Sequence, residues 1–484
     1  MATVKVEEQK LIANILSFSK LPSDDYSYDI ATQGLQSLLS RALEDCQNVD
    51  DLRVDKRYIE DIIDELDEKL SKQMDAIIHH DVFQALESPW RSLKLLVDRT
   101  EFDENIKIEF LSVSKDELLE DFEDASDITE TGLYRKVYTD EFGQFGGDPY
   151  GVIIGNYTVS PSAPDIRLLT YMSNLGAMTH APFITSAGES FFGLDDFSEL
   201  PDLKQLEAMF EGPQYLNWRN FRNSDDARNV GLTLPKFMLR PTYGDNIPVR
   251  SFNYQESIND KSEYLWGNAA FAYATRLNNS FAQYRWCPNI IGPQAGGEVA
   301  DLPINIVNDS GTDKLFGPVE VKISDRKEYE LSELGFIPLT LRKDSDSAVF
   351  FSSNSVQEPK KFTNDDEGRQ AEINYRLGTQ LPYLFIVNRL AHYIKVLQRE
   401  NLGSWKSRIE LETELNKWIR QYVADQDNPS AATRSQRPLR KASISVSEIE
   451  TEAGWYEVGM EVTPHFKFMG ASFTLSLTSI LERG

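Results

Sequence analysis

Along the first hundred positions, apolar residues recur at helical spacing. Leu11, Ile12, Ile15, Leu16 and Phe18 form a short stripe that Pro22 stops, and Leu35, Leu38, Leu39, Ala42 and Cys46 carry a second. The longest stripe runs through Ile59, Ile62, Ile63, Leu66, Leu70, Met74, Ile77 and Ile78, at steps of three and four. Its opposite face is charged, so it predicts an amphipathic helix packed along one side and solvated along the other.

Near residue 105 the period changes. IKIEFLSV (106–113) and YGVIIGNYTV (150–159) read as strands, APDIRLLTYMSNLGAMTHA (163–181) as a helix, and APFITSA (181–187) as a short buried strand. Strand-like and helical runs in alternation predict an α/β region with a mixed or mainly parallel sheet. YLWGNAAFAYATRLNNSFAQY (264–284) carries small and aromatic residues on nearly every face, as a buried helix requires. Helical RKEYELSELG (326–335) interrupts a strand-and-loop stretch over 301–362. LGTQLPYLFIVNRLAHYIKVLQREN (377–401) predicts a long apolar helix kinked at Pro382, and ELETELNKWIRQYVAD (410–425) another.

After the polar linker DQDNPSAATRSQRP (425–438) the period becomes two. Ile444 and Val446 share a face against Ser443, Ser445 and Ser447. Tyr456, Val458, Met460 and Val462 alternate with Trp455, Glu457, Gly459 and Glu461, and Phe473, Leu475 and Leu477 with Thr474, Ser476 and Thr478. These runs predict a hairpin and a third strand, each wet on one side. The expected organisation is a mixed α+β chain: a helical region over 1–100, central α/β domains over 101–362, a helical segment and linker over 363–438, and a β-rich tail over 439–484.

Composition narrows the function. A net charge of −27 over 484 residues argues against binding nucleic acid, where basic side chains must neutralise phosphate, and suits a basic partner. No apolar run reaches the length of a membrane span, and MATVKVEEQKL has none of the features of a signal peptide. Cys46 and Cys287 alone build neither a disulfide framework nor a cysteine metal site, so a reducing cytoplasm is the expected compartment.

The search for chemistry finds no constellation. In FGQFGGDPYGVIIGNY (142–157) the glycines precede a strand, whereas a phosphate loop must follow one and open a helix. His79 and His80 lie about 100° apart on a helix, without ligand spacing, and read as helix-end residues, as does His180; His392 reads as a satisfied core residue. The acidic stretch LLEDFEDASD (118–127) lacks the glycine and ligand alternation of a calcium loop and reads as a solvated helix face or a contact for a basic partner. Neither GxSxG nor a paired cysteine nucleophile is present. No catalytic, cofactor or metal residues are assigned; the expectation is assembly rather than catalysis.

Several blocks point to a family. They are PSAPDIRLLTYMSNLGAMTHAPFITSAGESFFGLDDFSELPDL (161–203), EGPQYLNWRNFRNSDDARNVGLTLPKFMLRPTYG (211–244), SEYLWGNAAFAYATRLNNSFAQYRWC (262–287), ISDRKEYELSELGFIPL (323–339), NRLAHYIKVLQRENLGSW (388–405) and the RPLRKA, GWYEV and PHFKFMGASFTLSL tail. In this order, from about residue 80 onward, they resemble the large subunit of the type VI secretion contractile sheath, the TssC/VipB family. The resemblance implies a sheath-protein fold and pairing with a smaller TssB/VipA-like subunit. It implies stacking with further copies as a six-start helical tube around an inner tube, docking on an envelope-anchored baseplate in the bacterial cytoplasm, contraction that drives tube and spike outward, and recycling by an AAA+ unfoldase.

It also implies a sheet interlaced between protomers. Its expected residues here are Ile444, Val446, Tyr456, Val458, Met460 and Val462 in a receiving hairpin over 442–463, with Phe473, Leu475 and Leu477 on a lent strand over 473–481; the alternative keeps all three strands in one protomer. In some members an N-terminal helix is the unfoldase's handle, with Leu11, Ile12, Ile15, Leu16 and Leu21 the candidates here, against local packing. Two other readings stay open: a sheath protein of a phage-tail-like particle, and a cytosolic α/β enzyme warranted only by the 142–151 turn and the α/β alternation.

Overall fold

The structure is a computed structural model that describes residues 26–44, 56–244, 247–309, 312–343, 345–363, 365–400, 407–424, 426, 429–448, 455–465 and 475–482. The chain divides into two compact units, residues 1–75 with 243–256, and residues 76–242 with 257–484.

In the first unit, helix α1 spans Tyr26–Glu44. Helix α2, Lys56–Ile78, begins there and ends in the second unit. Its polar face meets the 253–255 segment: Tyr254 Oη donates to Asp75 at 2.6 Å, and the Asn253 N–H to Asp67 at 3.3 Å. Ile62 is buried, but Ile63, Leu66 and Leu70 are more than 40% exposed. The expected apolar stripe is thus a real helix face that the described residues cover only in part.

The second unit is built on a six-stranded sheet. Its strands are β1 (Ile153–Val159), β2 (Phe183–Ala187), β3 (Val230–Leu234), β4 (Glu298–Val299), β5 (Phe336–Leu341) and β6 (Ala348–Phe350), in the order β1-β2-β3-β5-β6-β4. The first four in that order are parallel and the last two add antiparallel. The helices over this body include α3 (Asp81–Asp98), α4 (Lys115–Asp124), α5 (Ala163–Thr179), α6 (Ala269–Tyr284) and α7 (Asp325–Glu333). Both faces of the sheet are covered, which is why β2 and β3 are buried at every position. Phe183, Val230, Leu232, Leu234 and Phe336 face one core with Leu168, Leu169 and Met172 of α5. Ile184, Ile337, Leu339 and Phe350 face the other, with Ala269, Ala270, Ala272 and Tyr273 of α6. The alanines let α6 lie close to the sheet. At the centre of that face, a Cβ on Gly231 would stand 2.7 Å from Ile184, 2.9 Å from Leu381 and 3.0 Å from Ile337.

Two sequence expectations change. IKIEFLSV joins no sheet; residues 106–114 belong to no helix or strand and are unpaired. The long helix does not run through Pro382. One helix, α8, spans Asp366–Gly378, and the next, α9, spans Leu381–Glu400 with Pro382 as its second residue. There the missing N–H costs nothing, because first-turn amides have no intrahelical acceptor.

Helix α9 is a rod shared by two cores. Leu381, Leu384 and Phe385 close the second face of the large sheet, whereas Ile386, Val387, Leu390 and Ile394 belong to the C-terminal core. Its outer half grips the central body. His392 Nε2 lies 2.9 Å from the Thr179 carbonyl at the end of α5, and its ring packs edge-on against Phe142 at 4.8 Å. The Lys395 ammonium sits 4.2 and 4.1 Å over the rings of Tyr138 and Phe142, and Arg399 donates to the carbonyls of Phe142 and Gln144. These contacts hold the wide helical turn Arg135–Phe142.

Candidate inter-protomer sheet

Helix α10, Arg408–Ile419, opens with a capping box between Ser407 and Glu410. It lies on a three-stranded antiparallel sheet of β7 (Leu439–Glu448), β8 (Trp455–Pro464) and β9 (Leu475–Glu482), with β8 in the middle. The register opposes Ile444 to Met460 and Val446 to Val458, so the apolar positions of both strands fall on one face. Ile444, Val446, Tyr456, Val458, Met460 and Val462 are all buried there, under Leu415 and Ile419 of α10 and the outer half of α9. Ser443, Ser445, Ser447, Glu457 and Glu461 are exposed on the other face. The expected hairpin, with one dry and one wet side, is therefore present.

On the far edge of β8, β9 pairs with its own chain from Val462↔Leu475 to Trp455↔Glu482. Residues 466–474, Phe473 among them, lie outside the described residues, as do Leu11, Ile12, Ile15, Leu16 and Leu21.

The outer edge of β7 meets main chain only at Leu439, whose carbonyl accepts from the Ala424 N–H at 2.9 Å, and is covered further along by side chains. The Ile444 N–H donates to Asn416 Oδ1 at 3.0 Å, and Asn416 Nδ2 donates to the Ile444 carbonyl at 2.6 Å. Arg408 Nη1 donates to the Val446 carbonyl at 2.9 Å. Reading the sequence for apolar periodicity passed over both residues. The signal was there as a second stripe, Arg408, Glu412 and Asn416, each four apart, flanking the apolar Leu411, Leu415 and Ile419.

The histidines take structural places. His465 Nε2 lies 2.8 Å from the Ala424 carbonyl, and burial lowers its pKa. His180 ends α5 in the left-handed conformation at φ 55°, and His80 caps α3, its Nδ1 accepting from the Val82 N–H at 3.3 Å. Burial, then the nearby Lys395, lowers the His180 pKa to about 4. Among the described residues no group of three or more His, Cys, Asp or Glu is placed to hold a metal ion, and no helix is long and apolar enough to cross a membrane.

Residues 60–357 match the EvpB/VC_A0108 tail sheath N-terminal domain, and residues 370–481 the EvpB/VC_A0108 tail sheath gpW/gp25-like domain. Type VI secretion system sheath protein TssC1 of Pseudomonas aeruginosa is 37% identical over 483 residues, 98% of this chain and 96% of that protein. The chain belongs to the TssC/VipB family of sheath large subunits. The first match ends at residue 357 and the second begins at residue 370 within α8, so α9, the rod that carries one core into the next, lies inside the second. Two solved sheath proteins overlap it only loosely. The sheath tail protein Lin1278 of Listeria innocua has a TM-score of 0.31 at 8% identity, over 68% of this chain and 56% of that one. The anti-feeding prophage helical sheath in its contracted state has a TM-score of 0.27 at 10% identity, over 69% and 66%.

Proposed function

We propose that this chain is the structural large subunit of a type VI contractile sheath in the bacterial cytoplasm. It pairs with a small TssB/VipA-like subunit and assembles with further copies into a helical tube around an inner tube. That tube docks on a baseplate and is recycled by an AAA+ unfoldase. The observation that carries the reading is the full-length likeness to a type VI sheath protein. The C-terminal sheet supplies a physical means. The hairpin of β7 and β8 is fixed by its own core, whereas β9 joins it along one edge of β8.

Because that pairing is made of main-chain hydrogen bonds, the β9 of a neighbouring protomer can make the same bonds in the same register. Protomers linked in this way stay connected while their other contacts rearrange, as contraction requires. Deleting residues 475–484 tests it. Heterodimers are expected to form with the small subunit but not to polymerise; long tubes in electron micrographs of the truncated protein would show that β9 is not exchanged.

A further inference from the structure

Residues 106–113, IKIEFLSV, have the composition of a strand, yet among the described residues their backbone N–H groups meet no acceptor in this chain. The segment is nonetheless firmly placed. Ile108 packs against Leu96, Phe271 and Ala274. Tyr157 Oη donates to the Val113 carbonyl at 2.9 Å, and Tyr150 Oη to the Glu109 carboxylate. Phe110 rests against Trp90 with ring centroids 5.7 Å apart. Lys107, Glu109 and Val113 meet Asp148, Tyr150 and Tyr157 in turn, so the segment runs alongside the residues leading into and along β1. Such a run with unused main-chain groups is a template for another strand.

Beside it lies an apolar ridge. Val82, Leu86 and Trp90 follow one another at steps of four along α3 and are 73%, 61% and 58% exposed, and Phe110 is 61% exposed. Three exposed apolar side chains in line on α3, the last of them against Phe110 of the unpaired segment, mark a contact surface. We infer that residues 106–113 and this ridge receive an extended, basic strand from a different protein chain.

Main-chain geometry calls for a strand, and charge for a basic one. Residues 98–120 carry eight acidic and three basic side chains. All three cations are already engaged: Lys107 pairs with Asp148, Lys115 with Asp165 at 2.7 Å, and Arg99 donates to the Asp301 carbonyl at 3.0 Å. Asp98 and Glu104 are likewise paired, with Lys94 and Arg285. Glu101, Asp103, Glu109, Asp116, Glu117 and Glu120 are exposed with no cation partner among the described residues, so an acidic excess remains open to an incoming chain. A second copy of this chain, itself at −27, is a poor match.

The test co-expresses the chain with the small sheath subunit; the choice of that probe rests on the proposed function. Amides of residues 106–113 are expected to exchange about tenfold or more slowly in the complex than in the lone chain. Ser112→Pro, at an exposed side chain, and Leu86→Asp, on the ridge, are expected to abolish co-purification while leaving the melting curve of the lone chain unchanged. Ser112→Ala is expected to retain the partner. A complex in which 106–113 exchanges as fast as in the lone chain, or that tolerates both variants, overturns the inference and leaves the sheath reading standing. Protection that appears in the lone chain at high concentration would make the partner a second copy and overturn it too. Failure of the wild-type chains to co-purify would remove both the pairing with the small subunit and this inference.

Discussion

Asn416 meets Ile444 as a neighbouring strand would, accepting from its N–H and donating to its carbonyl through one carboxamide. Sheet edges otherwise offer such groups to any passing strand. In this chain the open edge of β7 is closed from within, by Asn416 and by Arg408 on the Val446 carbonyl. Under the proposed strand exchange, this leaves the β8 side, where β9 pairs, for an added strand. Asn416→Ala is expected to cost about 1–3 kcal/mol, because two partly buried main-chain groups lose their partners. The amide of Ile444 should exchange faster, and the purified protein should aggregate more readily. An unchanged urea midpoint together with unchanged exchange at Ile444 would show that water replaces the carboxamide without loss.

Much of the fold could be read from periodicity, for a physical reason. The buried runs of β2 and β3 and the alternating runs of β7 and β8 reflect how many faces of each strand are covered, and coverage selects residue type directly. Pairing does not. IKIEFLSV has the same pattern as a paired strand, but no pattern reports whether its partner belongs to the same chain. Pro382 marked a break correctly in place but not in kind, since a proline in a first turn and one at a kink look alike without the hydrogen bonds. The clamp of Asn416 and Arg408 was hidden because a polar residue on a helix reads as solvated unless the strand edge beside it is known.

Gly231 is a packing requirement rather than a turn. Its strand is buried on both faces, and three fully buried side chains converge where a Cβ would stand. Gly231→Ala is expected to destabilise the central body by about 1–3 kcal/mol through overpacking. Gly151→Ala, where nothing lies within 4 Å of the added carbon, should stay within about 0.5 kcal/mol. Urea unfolding followed by circular dichroism checks the pair; equal midpoints would mean that Ile184, Ile337 and Leu381 yield without strain.

The grip of α9 on the body should make the protein acid-sensitive. Burial lowers the pKa of His392 to about 3, reinforced by His180, Arg389 and Lys395, and lowers that of His180 to about 4. Both rings are neutral in the folded chain and protonate near 6.5 when unfolded. Below pH 6.5 the unfolded state therefore binds more protons than the folded one. The stability these histidines contribute is complete above that pH and is lost as pH falls through about 4 and then 3, on the order of 3 kcal/mol for His180 and about 5 kcal/mol for His392. Thermal midpoints should drop steadily between pH 6.5 and 4. Replacing Lys395 with Met removes a positive neighbour from both rings, so the His180 pKa should rise and the acid loss should shrink, even though the variant loses the cation–ring contacts and is less stable at neutral pH. If the midpoint of wild type is flat over that range, or if Lys395→Met steepens its fall, neutral histidines do not hold this junction.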